Sequence, residues 1–265
     1  MHAEDSAKSS RIMERGGSPY YEYRDTAVSS MSLFRPEWIE ELCVVDDNDA
    51  DNPLVQWNNG HFMHQFTYFI GDVNYYYRGP DGQKKVAIMN TGDSVYGTPF
   101  RPHSFATRKN AKKNGLILAL TYGNKLAGDT QQELSVLGEK LGMSYWLDFS
   151  TREKSFGALF NFHRMCASIS FEEIAKRTGI DKDRIIKFEN GLEIPDFEMI
   201  SSLAKAMNVN SRDLLPPDAI EDKVIVQYYK ESPSWYYPES IKTYKIVELC
   251  HSRKLPFSKA FEFSI

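Results

Sequence analysis

Cysteine is scarce in this 265-residue chain: Cys43, Cys166 and Cys250 are its three, and they lie far apart. An odd, scattered set excludes a disulfide framework and thiolate zinc spacing, and fits a reducing compartment. Long apolar runs are also lacking, and none approaches the ~18 residues that suggest a membrane span. Neither sign of charge dominates. Lys and Arg number 32 against 36 Asp and Glu, a net charge of −4, so nothing draws the chain as a whole to a polyanion. The first twenty residues are polar and partly acidic, unlike a secretory signal, and a cytoplasmic location is expected. Hydrophobic content of 42% and charged content of 26% fit a globular protein with room for one large or two modest domains.

Residues 1–19 read as a poorly ordered lead-in. From Tyr20 to about Tyr122, short aromatic and aliphatic runs such as Phe66–Ile70, Val73–Tyr77, Val86–Met89 and Leu116–Tyr122 alternate with turn signals such as Gly79-Pro80-Asp81-Gly82. That spacing predicts an antiparallel barrel or sandwich over 20–150, with a helix over Thr130–Leu141. Residues 151–217 change character. Helical periodicity after Ser170, the Gly179 turn, Asp181–Glu189, Asn190-Gly191 and Phe197–Met207 give the helix-turn-helix layout, and the run resembles repressor-type domains. Strand-like segments return over 218–265. The chain stops in the alternation Phe261-Glu262-Phe263-Ser264-Ile265, and we expect it to be a piece of a longer protein.

Two stretches carry the chemistry: Asn58-Asn59-Gly60-His61-Phe62-Met63-His64-Gln65, and Gly92-Asp93-Ser94 leading to Arg101-Pro102-His103. The second has the form of the second cupin motif. Imidazoles on different strands of a small barrel suit a mononuclear metal. Gln65 follows His61 by four residues, which on a straight strand is ~13 Å. The two could share one ion only if a bend or bulge intervened. His64 is a rival third ligand.

With Arg15, Tyr21 and Tyr23 added, these motifs resemble the phosphonate-processing iron oxygenases. That family includes hydroxyethylphosphonate dioxygenase, methylphosphonate synthase and hydroxypropylphosphonate epoxidase. The resemblance covers almost the whole chain and implies a mixed β-plus-α fold: a cupin barrel (a double-stranded β-helix) holding the metal, a helix-turn-helix domain over 151–217, and the start of a second cupin barrel over 218–265. It implies Fe(II) at His61, Gln65 and His103, with O2 as co-substrate and no 2-oxoglutarate. Arg15, Tyr23 and Asn58 match the phosphonate-binding positions. The dioxygenase carries a glutamate six residues before the second histidine, where this chain has Gly97, whereas the methylphosphonate-forming branch has a glutamine matching Gln65. The reaction implied is C–C cleavage of 2-hydroxyethylphosphonate to methylphosphonate, through substrate chelation and hydrogen abstraction by ferric superoxide. The alternative products are hydroxymethylphosphonate and formate. A homo-oligomer is implied as well. One departure stands out: the family lysine from an amino-terminal helix-turn-helix is not found, and the corresponding position in the helical domain present is Ser168.

A cupin joined to a helix-turn-helix also describes ligand-responsive transcriptional regulators. From His163 to Pro217 there are eight Lys/Arg and nine Asp/Glu. DNA affinity rests on phosphate neutralisation by basic side chains, so this is a poor footprint for it. DNA binding is not expected, nor is a membrane partner.

Overall fold

A computed structural model describes residues 1–31, 34–61, 63–79, 81–98, 101–122, 132, 135–138, 148, 150–216, 224–252 and 259–265. The helix expected over Thr130–Leu141 falls largely outside them. The chain divides into two compact units, Met1–Lys125 with Glu221–Ile265, and Leu126–Ile220.

The first unit is built on two sheets that face each other. One has seven strands, in the order β1 (Arg11–Arg15), β2 (Ser18–Asp25), β3 (Arg35–Glu41), β10 (Leu116–Tyr122), β5 (His64–Ile70), β8 (Ser94–Gly97) and β11 (Val224–Gln227). The other has four, in the order β4 (Val44–Val45), β9 (His103–Arg108), β6 (Val73–Arg78) and β7 (Lys84–Met89). Inward residues of both sheets meet in one core: Tyr21, Ile39, Phe69 and Ile117 from the first, Tyr75, Met89 and Phe105 from the second. This is the expected cupin architecture. Period-two alternation decides which side chains face inward. On β5, Phe69 joins the core while Phe66 packs on the outer face with Tyr96, Tyr122 and Cys250. On β6, Tyr75 points in, and Tyr76 packs outside against Val45, Val55 and Ala106.

Two expectations need correction. The supposed lead-in is structured: Ala3–Lys8 forms a short helix α1, and β1 pairs antiparallel with β2 through Arg11↔Tyr23 to Arg15↔Ser18. β1 is an exposed edge strand that pairs with β2 on one side, with a register shift between Met13 and Glu14. The segment 218–265 does not stand apart from the barrel either. Val224–Gln227 pairs with β8 and so covers what would be a raw sheet edge. Only β12 (Ser234–Tyr237), β13 (Tyr244–Glu248) and β14 (Phe261–Ser264) make a separate three-stranded sheet.

The second unit has helices α2 (Arg152–Cys166), α3 (Phe171–Thr178), α4 (Lys182–Glu189), α5 (Phe197–Met207) and α6 (Ser211–Leu214). Each begins where a side chain caps its first amides: Thr151, Ser170, Asp181, Asp196 and Asn210. Phe156, Phe160, Ile174, Ile185, Phe188 and Leu203 fill its core. A Cβ on Gly157 would lie 2.5 Å from the Glu189 carbonyl, so glycine is what lets α2 and α4 approach. Arg164 grips Glu189 with two hydrogen bonds of 2.6 and 2.8 Å. Two cations of α4 are held by acids: Arg184 by Glu193 and Lys182 by Glu172. Ser168 sits exposed in a left-handed turn, φ +52°.

Candidate metal centre

A cavity of about 370 Å³ opens into the first unit, and Arg15, Tyr23, His61, Gln65 and His103 all line it. Their convergence follows from the strands. β5 begins only at His64, and Gly60 (φ +77°) turns the chain just before it, so His61 lies outside the strand. The bend that the four-residue spacing demanded is therefore present. It brings His61 Nε2 to 2.7 Å from Gln65 Oε1.

That contact is the informative one. His61 Nδ1 lies 3.0 Å from the Met63 carbonyl, and a carbonyl can only accept, so the proton belongs on Nδ1. The Gln65 amide donates through Nε2 to Thr67 Oγ1 at 2.9 Å, which turns its oxygen toward His61. In a neutral imidazole, two lone pairs would then face each other. Moving the proton to Nε2 only transfers the conflict to the Met63 carbonyl. A metal ion held by both lone pairs resolves it, as does a second proton on the ring or an amide turned to present Nε2 to His61 while Thr67 donates to Oε1. The separation is close to the ~3 Å between adjacent ligand atoms on bonds of about 2.1 Å.

His103 begins β9, with its ring 5.4 Å from that of His61 between centroids. Its Nδ1–H donates to the Arg101 carbonyl at 2.8 Å, which leaves Nε2 as the lone pair. Burial pushes its pKa down to about 4, so the ring is neutral at neutral pH. Among the described residues, no group of three or more His, Cys, Asp or Glu side chains could hold a metal. The centre that these residues can form is thus two imidazoles and an amide. His64 is not part of it. Alternation turns it to the outer face, where it is buried between the Tyr96 and Tyr122 rings with Nδ1 2.6 Å from the Tyr96 hydroxyl. Gly97 is the cross-strand partner of Gln65, and a Cβ there would meet nothing within 4 Å. The position where the dioxygenase carries glutamate therefore lies directly beside the amide.

The three candidate substrate residues are placed differently. Arg15 ends β1, stacks over the Tyr21 ring at 4.8 Å and donates to the Gln56 carbonyl at 3.0 Å. Tyr23 lines the cavity, and burial, followed by the carboxylates of Glu37 and Glu41, pushes its pKa up to about 12, so it stays a hydroxyl donor. Asn58 is not in the cavity wall. Its Oδ1 accepts from the amides of Gly60 and His103, both at 2.9 Å, and its Nδ2 donates at 3.1 Å to His103 Nε2, the lone pair that a metal would have to take from it. It clamps the two histidine-bearing segments together.

Glu41 was not anticipated. On β3 it lies on the same face as Glu37 and Ile39, opposite Tyr21 in the β2 register, and is fully buried. Neither carboxylate oxygen has a hydrogen-bond partner among the described residues. Burial raises its pKa well above the ordinary value, against the lowering effect of Arg15. The folded state then keeps a proton that the unfolded chain releases above its ordinary pKa of 4.5. Glu41's contribution to stability therefore falls as pH rises above that point, by at most about 1.4 kcal/mol per pH unit for one proton. Glu41→Gln should remove this contribution to the slope. Urea melts at pH 5 through 8 check it, and parallel slopes in parent and variant would refute it.

A family model, Helix-turn-helix, matches residues 168–214. Methylphosphonate synthase of Nitrosopumilus maritimus (strain SCM1) is 55% identical over 265 residues, all of this chain and 58% of the synthase. Over its whole length, this chain is similar in sequence to that synthase. Among solved structures, Streptomyces albus hydroxyethylphosphonate dioxygenase with 2-hydroxyethylphosphonate and Fe(II) bound is 41% identical, with a TM-score of 0.85 over 99% of this chain and 59% of that one. Another hydroxyethylphosphonate dioxygenase, 19% identical with a TM-score of 0.74, shares the fold over 97% of this chain. The chain spans less than two thirds of each of these relatives.

Proposed function

We propose that this chain carries the Fe(II) centre of an O2-dependent oxygenase that cleaves the C–C bond of 2-hydroxyethylphosphonate and yields methylphosphonate. The observation that carries the reading is the 2.7 Å approach of His61 Nε2 to Gln65 Oε1, with both groups oriented from behind by other hydrogen bonds. His61, Gln65 and His103 would hold the iron, which supplies O2 activation without 2-oxoglutarate. The Fe(II) and 2-hydroxyethylphosphonate in the 41% identical dioxygenase support that assignment. Arg15 meets the phosphonate with a planar, permanently charged donor set. Tyr23 adds a hydroxyl that remains protonated at neutral pH. Ile39, Phe105, Ile117 and Ala119 line the cavity with apolar surface that keeps water from the reacting carbon.

The methyl product is favoured by the 55% identity to the synthase and by Gly97, which offers no carboxylate beside Gln65. Hydroxymethylphosphonate with formate is the second reading, favoured by the dioxygenase of similar fold at 41% identity. Phosphorus NMR of 2-hydroxyethylphosphonate incubated with protein, Fe(II) and air distinguishes them. A methylphosphonate resonance supports the first, hydroxymethylphosphonate the second, and unchanged substrate from an iron-loaded protein counts against both. We infer that the helical unit does not serve DNA recognition, because Arg164, Lys182 and Arg184 are paired with acids.

A further inference from the structure

Behind Arg15 lies a closed set of hydrogen bonds outside the cavity. Ser104 follows His103 on β9 and, by alternation, faces away from the cavity that His103 lines; it is fully buried. Its Oγ lies 2.8 Å from the Gln56 carbonyl, 2.9 Å from the Tyr20 hydroxyl and 3.2 Å from the Tyr21 hydroxyl. The direction of every proton can be deduced. The Gln56 carbonyl only accepts, so it takes Ser104's single proton. Both tyrosines must then donate to Ser104. Each has a lone pair left, and each uses it: Tyr20 accepts from the Gln56 amide at 3.0 Å, Tyr21 from the Phe105 amide at 3.2 Å.

The Gln56 residue is therefore gripped at both ends, its N–H by Tyr20 and its C=O by Ser104. That same carbonyl accepts from Arg15 Nη1 at 3.0 Å. The guanidinium also lies over the rings of Tyr21 and Tyr20, at 4.8 and 5.5 Å. One carbonyl and two aromatic faces set the plane of Arg15, and the Ser104 hydroxyl holds all three in register. A planar fork binds an oxyanion well only in one orientation.

We propose that Ser104 and Tyr20 are positioning residues for phosphonate recognition, fixing the Arg15 guanidinium through the Gln56 carbonyl without touching substrate. This rests on the reading of Arg15 as the phosphonate-binding cation. The test is a double-mutant cycle read by calorimetry, titrating 2-hydroxyethylphosphonate into the Fe(II)-loaded protein without oxygen. Ser104→Ala and Tyr20→Phe should each weaken binding about tenfold, with Fe(II) affinity unchanged. In an Arg15→Ala background, neither should add more than about twofold, because the residue they orient is gone. Tyr20→Phe removes one hydroxyl from a ring that stays in place, so it carries the cycle if Ser104→Ala does not fold. Full-sized effects that persist without Arg15 would overturn the proposal, as would no effect of either variant when Arg15→Ala alone weakens binding. If Arg15→Ala leaves the affinity intact, the Arg15 reading itself is wrong and this proposal falls with it.

Discussion

Arg15→Ala should weaken 2-hydroxyethylphosphonate binding by about two to three orders of magnitude and leave Fe(II) affinity within about twofold. The size follows from the setting. Removing one partner of a desolvated charge pair costs on the order of 2–5 kcal/mol, and 1.4 kcal/mol is tenfold. Little else in the cavity could compensate. Among the described residues, Arg15 is the only Lys or Arg that lines it, and Glu37 stands in the same wall. Tyr23 offers a neutral donor only. Arg15→Lys should recover little, since an ammonium reproduces neither the fork nor the stacking over Tyr21. The guanidinium makes no hydrogen bond to His61, Gln65 or His103, and its charge disfavours a cation near His103, so its removal should not weaken metal binding. Calorimetry with oxygen excluded measures both quantities. Substrate affinity within threefold of the parent would remove Arg15 from the site.

How far the sequence revealed this centre can be argued residue by residue. His61 and His103 were legible because their motifs are local: a glycine turn before one, a Pro-His step before the other. Gln65 was legible only conditionally, since its spacing from His61 required a bend that nothing but Gly60 hinted at. The choice between His64 and Gln65 turns on a single step of strand alternation, which moves a side chain from one face to the other. Where β5 begins settles that choice: His64 goes to the tyrosine stack and Gln65 to the cavity.

Glu41 and Ser104 were not legible at all, and the reason is topological. Glu41 matters because β3 pairs with β2 and sets it opposite Tyr21. Ser104 matters because hydroxyls 83 and 84 residues away reach it. No local pattern encodes partners at such separations. The amino-terminal stretch was misread for a related reason. Polar composition describes an exposed edge strand as well as it describes disorder, and only the register with β2 separates the two. The carboxy-terminal strands were recognised as strands, but the attachment of β11 to β8 was invisible, because an edge accepts any strand that reaches it.

His61→Ala should abolish metal binding, whereas Gln65→Glu should strengthen it. The geometry of the two ligand atoms explains both. His61 and Gln65 are held with acceptor atoms 2.7 Å apart by donors behind each of them, so the folded chain already carries the cost of bringing two ligands together. A cation recovers that cost on binding, and the protein should be stabilised by it in proportion to RT ln(1 + [M]/Kd). At a metal concentration 100-fold above Kd this is about 2.7 kcal/mol, enough to shift a melting midpoint by several degrees. Without the His61 imidazole, His103 and one amide oxygen remain, and the shift should vanish at the same metal concentration. With glutamate at 65 the opposing group becomes an anion. The loaded protein then gains a stronger oxygen ligand. The gain in the loaded protein should exceed any gain without metal, because a divalent ion attracts the carboxylate more strongly than a neutral or singly charged partner does. Thermal melts with and without Fe(II) under argon, repeated for both variants, decide the matter. A metal-dependent shift that survives His61→Ala would place the ion elsewhere in the chain.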